Sequence, residues 1–379
     1  MVNGRWSKLS WALVVIGLCA LVTGCSDDPE ATNGDPDDAG HGDVGDVGSE
    51  DVDDGEDADT EIIQHPPDYG IETHFRCHEE PPEGAAPPPE LQPYSGGECP
   101  QLEVGFNTLE SSGYEREFKI VAPQEIEDGE VLPVIFMWHW LAGTAQRFVD
   151  EGDIQKAVDT VRFLAVVPES GENLSGDLQW PFMNAGHHLD AYDEELTFFD
   201  DMLTCVHESF EIERNCVASA GVSAGGLWTT QLASQRSEYL SSFVSLAGGV
   251  QDGAGVGVRP WEEAERKLPG IVLWGGPDDW CIIDFEETSE LLEDHLQQDG
   301  HFFLECVHNC GHTKPPTEPG EGEAEMAAFW QFVLDHPLWV KEGSSPYTHE
   351  GLPDDMPEWC GIGKGSAEIR QGECEPDQC

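Results

Sequence analysis

A series of short apolar runs without polar alternation constrains this chain most: LPVIFMWH, RFLAVVP, NCVASAG, SSFVSLAGG, GIVLWGG and HFFLECV. A strand that alternates leaves one face to water. A strand that does not alternate must be covered on both faces, as in a parallel sheet flanked by helices. One further run, YEREFKIVAP, alternates and ends on proline, as a half-buried strand does. Helical patterns lie between the runs. DEELTFFDDMLTCVHESF sets Leu196, Phe199, Leu203 and Val206 on one stripe, and TSELLEDHLQQDG stops at Gly300. In EAEMAAFWQFVLDHP, Met326, Phe329, Trp330 and Val333 share a face. Strands alternating with helices predict an α/β fold with a mostly parallel sheet over residues 101–340.

The flanks differ from this core. Arg5 and Lys8 precede an apolar run from Leu9 to Val22, which is short for a membrane span and reads as a signal peptide over residues 1–25. Val22-Thr23-Gly24-Cys25 resembles the lipobox of bacterial lipoproteins, which implies a lipid on Cys25 and an anchor at the envelope, with Ser26 favouring the outer membrane. Residues 26–64 are rich in Asp, Gly and Glu and carry no Lys or Arg, which predicts a solvated linker. Residues 65–100 form a proline-rich lead-in with Cys77 and Cys99, and residues 341–379 a cysteine-containing tail with little periodicity.

Removing Cys19 with the signal and Cys25 to lipid leaves an even set of the 12 cysteines, which in an exported chain predicts disulfides. Sequence order suggests Cys77 with Cys99 and Cys205 with Cys216. A metal set of Cys306, His308, Cys310 and His312 is the weaker reading, because exported cysteines are usually oxidised. With 17 basic against 76 acidic residues the net charge is −59, so nucleic acid and anionic lipid surfaces are poor partners. Such an acidic surface suits high salt, where self-repulsion is screened.

The stretch AGVSAGGLWTT joins a strand, NCVASAG, to a helical run, GLWTTQLASQ, through Ser223. That is the setting of a nucleophile elbow, where small neighbours permit a sharp turn and the new helix offers N–H groups to an oxyanion. A serine needs a base and the base needs a carboxylate. Downstream in the required order come GIVLWGG with Pro277-Asp278-Asp279, then HFFLECV with His312 after Gly311. Asp278 is the first choice for the acid, with Asp279 and Asp284 open as alternatives; His308 is the alternative to His312. His187 and His188, beside an aromatic loop, read as local.

The blocks LPVIFMWHWLAGTAQRF, RFLAVVPES, DEELTFFDDML, AGVSAGG, WGGPDD and CGHT resemble the polyhydroxybutyrate depolymerase and feruloyl esterase group of α/β-hydrolases, over residues 114–336. The resemblance implies an α/β-hydrolase fold and a serine esterase acting without metal or organic cofactor. Its substrate would be an ester, polymeric or small: a polyester, a feruloylated or acetylated polysaccharide, or an acyl ester. Ser223 would be the nucleophile, Asp278 the acid and His312 the base. Oxyanion donors would be the N–H groups of Ala224 and Leu141, the latter in His139-Trp140-Leu141-Ala142-Gly143, which matches the group's H-G-x-x-G turn. Trp140 departs from the group's glycine there: its bulk either crowds the oxyanion turn or walls the acyl site, whereas Trp180, Trp228, Trp274 and Trp280 read as packing residues. Two rivals are a prolyl-oligopeptidase-like peptidase, disfavoured without a propeller-length domain, and a silent surface protein that binds through its tryptophans.

Overall fold

In a computed structural model, the structure describes residues 76–171, 189–252 and 260–374. The signal segment, Cys25, the linker, Trp180, His187 and His188 lie outside the described residues. Nine strands make one sheet in the order β1-β2-β4-β3-β5-β6-β7-β10-β11. They are β1 (Gly105–Ser111), β2 (Tyr114–Val121), β3 (Leu132–Trp138), β4 (Leu164–Pro168), β5 (Ile212–Val222), β6 (Ser242–Leu246), β7 (Gly270–Trp274), β10 (Phe303–Val307) and β11 (Cys360–Ile362). The six strands from β4 through β10 in that order run parallel to one another. β1 and β2 form an antiparallel hairpin at one edge, β2 also runs antiparallel to β4, and β11 runs antiparallel to β10 at the other edge.

The missing alternation has a direct cause in β3, whose seven residues are all buried. Val134, Phe136 and Trp138 point into one apolar cluster, while Ile135 and Met137 point into the other. Each face of the sheet is therefore a core, and period two survives only as a choice between cores. On the first face lie α3 (Leu189–Ser209), α4 (Ala224–Gln235) and α5 (Phe285–Asp299), which contribute Phe198, Phe199, Trp228 and Leu292. On the second lie α1 (Ala145–Glu151), α2 (Ile154–Val161) and α6 (Ala327–Leu334), which contribute Phe148, Val158, Phe329 and Trp330. A short α7 (Tyr347–Glu350) precedes β11. Among the described residues no helix is long and apolar enough to cross a membrane.

Disulfides fix the flanks, but not in sequence order. Cys77 pairs with Cys216 and Cys99 with Cys205, so the lead-in is tied to β5 and α3 rather than to itself. The nearest-neighbour pairing expected from the sequence is thus overturned: the lead-in crosses the domain, bringing each of its cysteines to a different element. Cys306 pairs with Cys360 and Cys310 with Cys374, which removes the thiolates a metal set would need. Cys281 is disulfide-bonded as well. Among the described residues no three His, Cys, Asp or Glu side chains form a metal-binding group.

The tail does more than hang from its disulfides, because β11 extends the sheet. It is latched by Glu305 on β10, whose carboxylate accepts the N–H groups of Gly365 at 2.8 Å and Ala367 at 2.7 Å. Behind Glu305 sits Glu293 of α5, fully buried. Burial and the adjacent Glu305 carboxylate push Glu293 up to about 9, so it carries its proton at neutral pH.

Candidate active site

β5 ends at Val222 and α4 begins at Ala224, leaving Ser223 as the whole connection. Its φ of 56° and ψ of −118° lie where a side chain is strained, and its N–H is held by Leu246 O at 2.8 Å. The turn closes only because its neighbours lack Cβ atoms. A Cβ on Gly221 would stand 2.0 Å from Gly225 O, and one on Gly225 would stand 2.0 Å from Trp138 O. The nucleophile elbow expected from the sequence is therefore present in geometry. As the first residue of α4, Ala224 has an N–H with no carbonyl inside the helix to receive it.

The imidazole of His312 reaches both neighbours. Its Nε2 lies 2.9 Å from Ser223 Oγ, and its Nδ1 lies 2.7 Å from Asp279 Oδ1. In the tautomer with Nδ1 protonated, that N–H donates to the carboxylate and Nε2 accepts from the serine hydroxyl. The carboxylate is thus Asp279, not Asp278. Asp279 is 1% exposed and its Oδ2 also accepts the Gly275 N–H at 2.6 Å, whereas Asp278 faces solvent. Asp279 N donates to Gly276 O at 2.9 Å, a turn that carries Pro277 and Asp278 over the outside before the chain comes back to the site.

The alternatives have other tasks. Asp284 is the N-cap of α5, its side chain accepting the Glu287 N–H at 3.1 Å. His308 accepts the Cys310 N–H on Nδ1 at 3.2 Å and stands edge-on to Trp359. Burial lowers its pKa to about 4, so it is neutral at physiological pH. The histidine loop is tied to the acid turn through main chain, with Gly311 N donating to Gly275 O at 3.0 Å and His308 N to Trp274 O at 3.1 Å.

Phe285, unnoticed in the sequence, stacks on His312 with ring centroids 4.4 Å apart and planes 20° from parallel. Its N–H donates to Asp279 O at 2.9 Å, so one residue braces both partners. A π face against an imidazole also favours the ring when it becomes a cation. Nothing in its sequence position, at the start of α5, signals this.

The turn after β3 carries the other expected features. Gly143 N donates to Trp140 O at 2.9 Å, and Ala142 takes a φ of 58°. His139 is fully buried, and its Nδ1 lies 2.8 Å from Trp140 O. Burial brings its pKa to about 4, so the 3.8 Å approach of its Nε2 to Glu169 is not an ion pair at neutral pH. Trp140 is half-buried, stacked on Phe148 at 6.1 Å and lying under the Arg147 guanidinium at 5.1 Å; these contacts belong to α1. Leu141 packs toward the opposite core. Trp228 and Trp274 are core residues, as expected, but Trp280 is 62% exposed and is not a packing residue.

No family model matches the chain. Feruloyl esterase D of Neurospora crassa is 26% identical over 180 residues, which is 44% of this chain and 58% of that protein. The chain thus spans less than two thirds of that relative's length. Two solved structures, the native forms of pOPH and sOPH, share the fold. The pOPH structure has a TM-score of 0.59 at 16% identity, covering 70% of this chain and 97% of that one. The sOPH structure has a TM-score of 0.57 at 18% identity, covering 72% of this chain and all of that one (100%). The chain has the α/β-hydrolase fold and, over part of its length, resembles a feruloyl esterase.

Proposed function

We propose that the protein is a serine esterase that cleaves carboxylic esters through an acyl-enzyme. The observation that carries this reading is the unbroken relay of Ser223 Oγ to His312 Nε2 at 2.9 Å and His312 Nδ1 to Asp279 Oδ1 at 2.7 Å. Ser223 Oγ attacks the ester carbonyl carbon while its proton passes to His312 Nε2. Asp279 holds the ring in the required tautomer and stabilises the imidazolium, with Phe285 behind it. The N–H groups of Ala224 and Leu141 take the oxyanion, aided by the positive end of α4. Collapse of the tetrahedral intermediate expels the alcohol, which receives the proton from His312. A water molecule then gives its proton to His312 Nε2 and attacks the acyl carbonyl, and the second collapse frees the acid and restores Ser223.

Resemblance to the feruloyl esterase of Neurospora crassa supports esters of aromatic or small acyl groups, and a polymeric alcohol or acid component is part of the same proposal. The Trp140 ring, anchored on α1, is proposed as one wall for the acyl group. Export is supported by the disulfides and by the leader-like residues 1–25. A lipid on Cys25 is proposed to anchor the protein to the bacterial envelope, without a spanning segment. Hydrolysis of p-nitrophenyl acetate and methyl ferulate by the wild type and by Ser223→Ala tests the assignment. Turnover in the wild type and its loss in a folded Ser223→Ala protein is expected. Retained turnover in the variant, or failure of Ser223 to react with a fluorophosphonate probe, sinks it.

A further inference from the structure

Directly after Asp279 the chain makes a two-strand hairpin, β8 (Trp280–Cys281) and β9 (Ile283–Asp284), in which Trp280 pairs with Asp284 and Cys281 with Ile283. Ile282 alone forms the tip, with a φ of 68°. A β-branched side chain is strained there, and glycine or asparagine would take the conformation more easily. Burial does not explain its presence, because Ile282 is 52% exposed beside a Trp280 that is 62% exposed. Two large apolar side chains thus stand in water on a short hairpin, one residue beyond the carboxylate that orients His312. The disulfide of Cys281 and the pairing of its neighbours keep that hairpin rigid.

Shape and charge limit what these side chains meet. A dissolved small molecule is held in a concavity, where most of its surface is buried. Trp280 and Ile282 instead project from a tip, which suits contact with an extended apolar surface. The charged residues flanking the hairpin along the chain are Asp278, Asp284, Glu286, Glu287 and Glu290, all acidic. The Lys364 ammonium that reaches the Glu290 carbonyl at 3.1 Å is itself paired with Asp294 at 2.7 Å, so the surroundings stay acidic in a chain of net charge −59. An anionic membrane or polyanion is repelled by that ring. An uncharged ester is not.

We infer that the Trp280–Ile282 knob docks the enzyme onto an uncharged, water-insoluble ester presented as a surface, at the rim of the site that holds Ser223 and His312. The inference rests on the esterase reading and deepens it. Docking removes the two side chains from water and delivers ester groups to a serine two hydrogen bonds away from Asp279. The two residues act on substrate recognition and take no part in the proton relay.

Hydrolysis of emulsified tributyrin and of dissolved p-nitrophenyl acetate is compared in wild type, Trp280→Ala and Ile282→Asn. The ratio of emulsion rate to dissolved-ester rate is expected to fall roughly 10-fold or more in Trp280→Ala, the size expected from losing burial of one large apolar side chain. Ile282→Asn is expected to lower the ratio less while relieving the strained tip. An unchanged ratio in both variants overturns the inference. Adsorption to the emulsion separates this result from failure of the esterase reading. In the Ser223→Ala background, adding Trp280→Ala is expected to release the protein from the droplets. Adsorption unchanged by Trp280→Ala overturns the docking role whether or not hydrolysis is found. Tryptophan-dependent adsorption by a wild type that hydrolyses neither ester sustains the knob and removes the esterase.

Discussion

The two halves of the candidate site are held in different ways. The serine half, from β5 into α4, is fixed by steric fit of the main chain: bare glycines let position 221 close on Gly225 and position 225 close on Trp138, while the Ser223 N–H is held by Leu246 O. Its nearest tether, Cys77–Cys216, lies toward the other end of β5. The half that carries Asp279 and His312 consists of loops after β7 and β10, and a disulfide stands close to each of these two residues. Cys281 lies two residues after Asp279, and Cys310 lies two residues before His312. Phe285 and the Gly311 to Gly275 hydrogen bond complete the bracing. A tight turn between a strand and a helix has almost no freedom to lose, so local packing suffices. The loop after β10 is long and the one after β7 ends in a hairpin, so both have more freedom to lose, and they are restrained by cross-links and stacking instead.

Substitutions can break this contrast. The largest effect is expected from Gly225→Val, which drives a side chain into Trp138 O and should leave little soluble, folded protein, a cost above about 3 kcal/mol. Expression yield and the circular-dichroism melt report it; a folded, active variant would show that the elbow is not sterically determined. Next, Asp279→Asn should lower kcat by roughly 10⁴-fold with the fold intact, by analogy with loss of the orienting acid in other triads. Asp278→Asn should stay within about 2-fold, and kinetics on p-nitrophenyl acetate distinguish the two. The reverse ranking would return the acid to Asp278.

A smaller effect is expected from Cys310→Ser with Cys374→Ser. Their bond spans 64 residues, and opening it should cost about 4 kcal/mol of stability by the chain-entropy account. It should also lower kcat roughly 3- to 10-fold as His312 loses alignment, while fluorophosphonate labelling of Ser223 slows by a similar factor. Unchanged kcat would mean that the histidine loop is held by its main-chain hydrogen bonds alone.

The smallest effect concerns the latch behind the tail. Glu293 has its pKa raised to about 9 in the fold and sits near its ordinary value of 4.5 in the unfolded chain. Between those values the folded state holds the extra proton, so stability falls as pH rises from about 4.5 toward 9. Glu293→Gln should remove that slope and raise Tm by several degrees at pH 8 relative to the wild type, with no gain at pH 4. His139 and His308, both lowered to about 4, work in the opposite sense: their neutral burial is lost as pH falls from about 6.5 toward 4. Thermal melts from pH 4 to 9 read both slopes.

The contrast also explains what the sequence made legible. β2 to β7, β10 and the helices α3, α4, α5 and α6 are present where the apolar runs and stripes put them. α1, at seven residues, is too short to display a full stripe, and the three residues of β11 display no period, whereas α2 carries Ile154, Ala157, Val158 and Val161 at helical spacing and its signal was there to be read. β1 shows no such run because it is an edge strand with most residues at least partly exposed, so its apolar content is low. Ser223 could be read because the glycines it needs are its neighbours. Asp279 could not be separated from Asp278, since one extra residue in a turn decides which carboxylate faces inward. Phe285 and the disulfide pairs depend on contacts between distant segments, and spacing carries no trace of them. Trp280 reads as a packing residue in the sequence, because sequence reports apolarity and not which way a hairpin points.

The sheet's two borders have unequal consequences for how the molecule behaves in a crowd. At one border β11 offers only three residues, too few to template another chain. At the other, β1 is longer; the Tyr94 hydroxyl covers the main chain of Glu110, and toward the other end Phe106 stands half out in water, beside Val104. When the protein is heated or concentrated, self-association should therefore begin at the β1 border. Light scattering on heating should respond to a lysine placed at Phe106 and ignore one placed at Ile362.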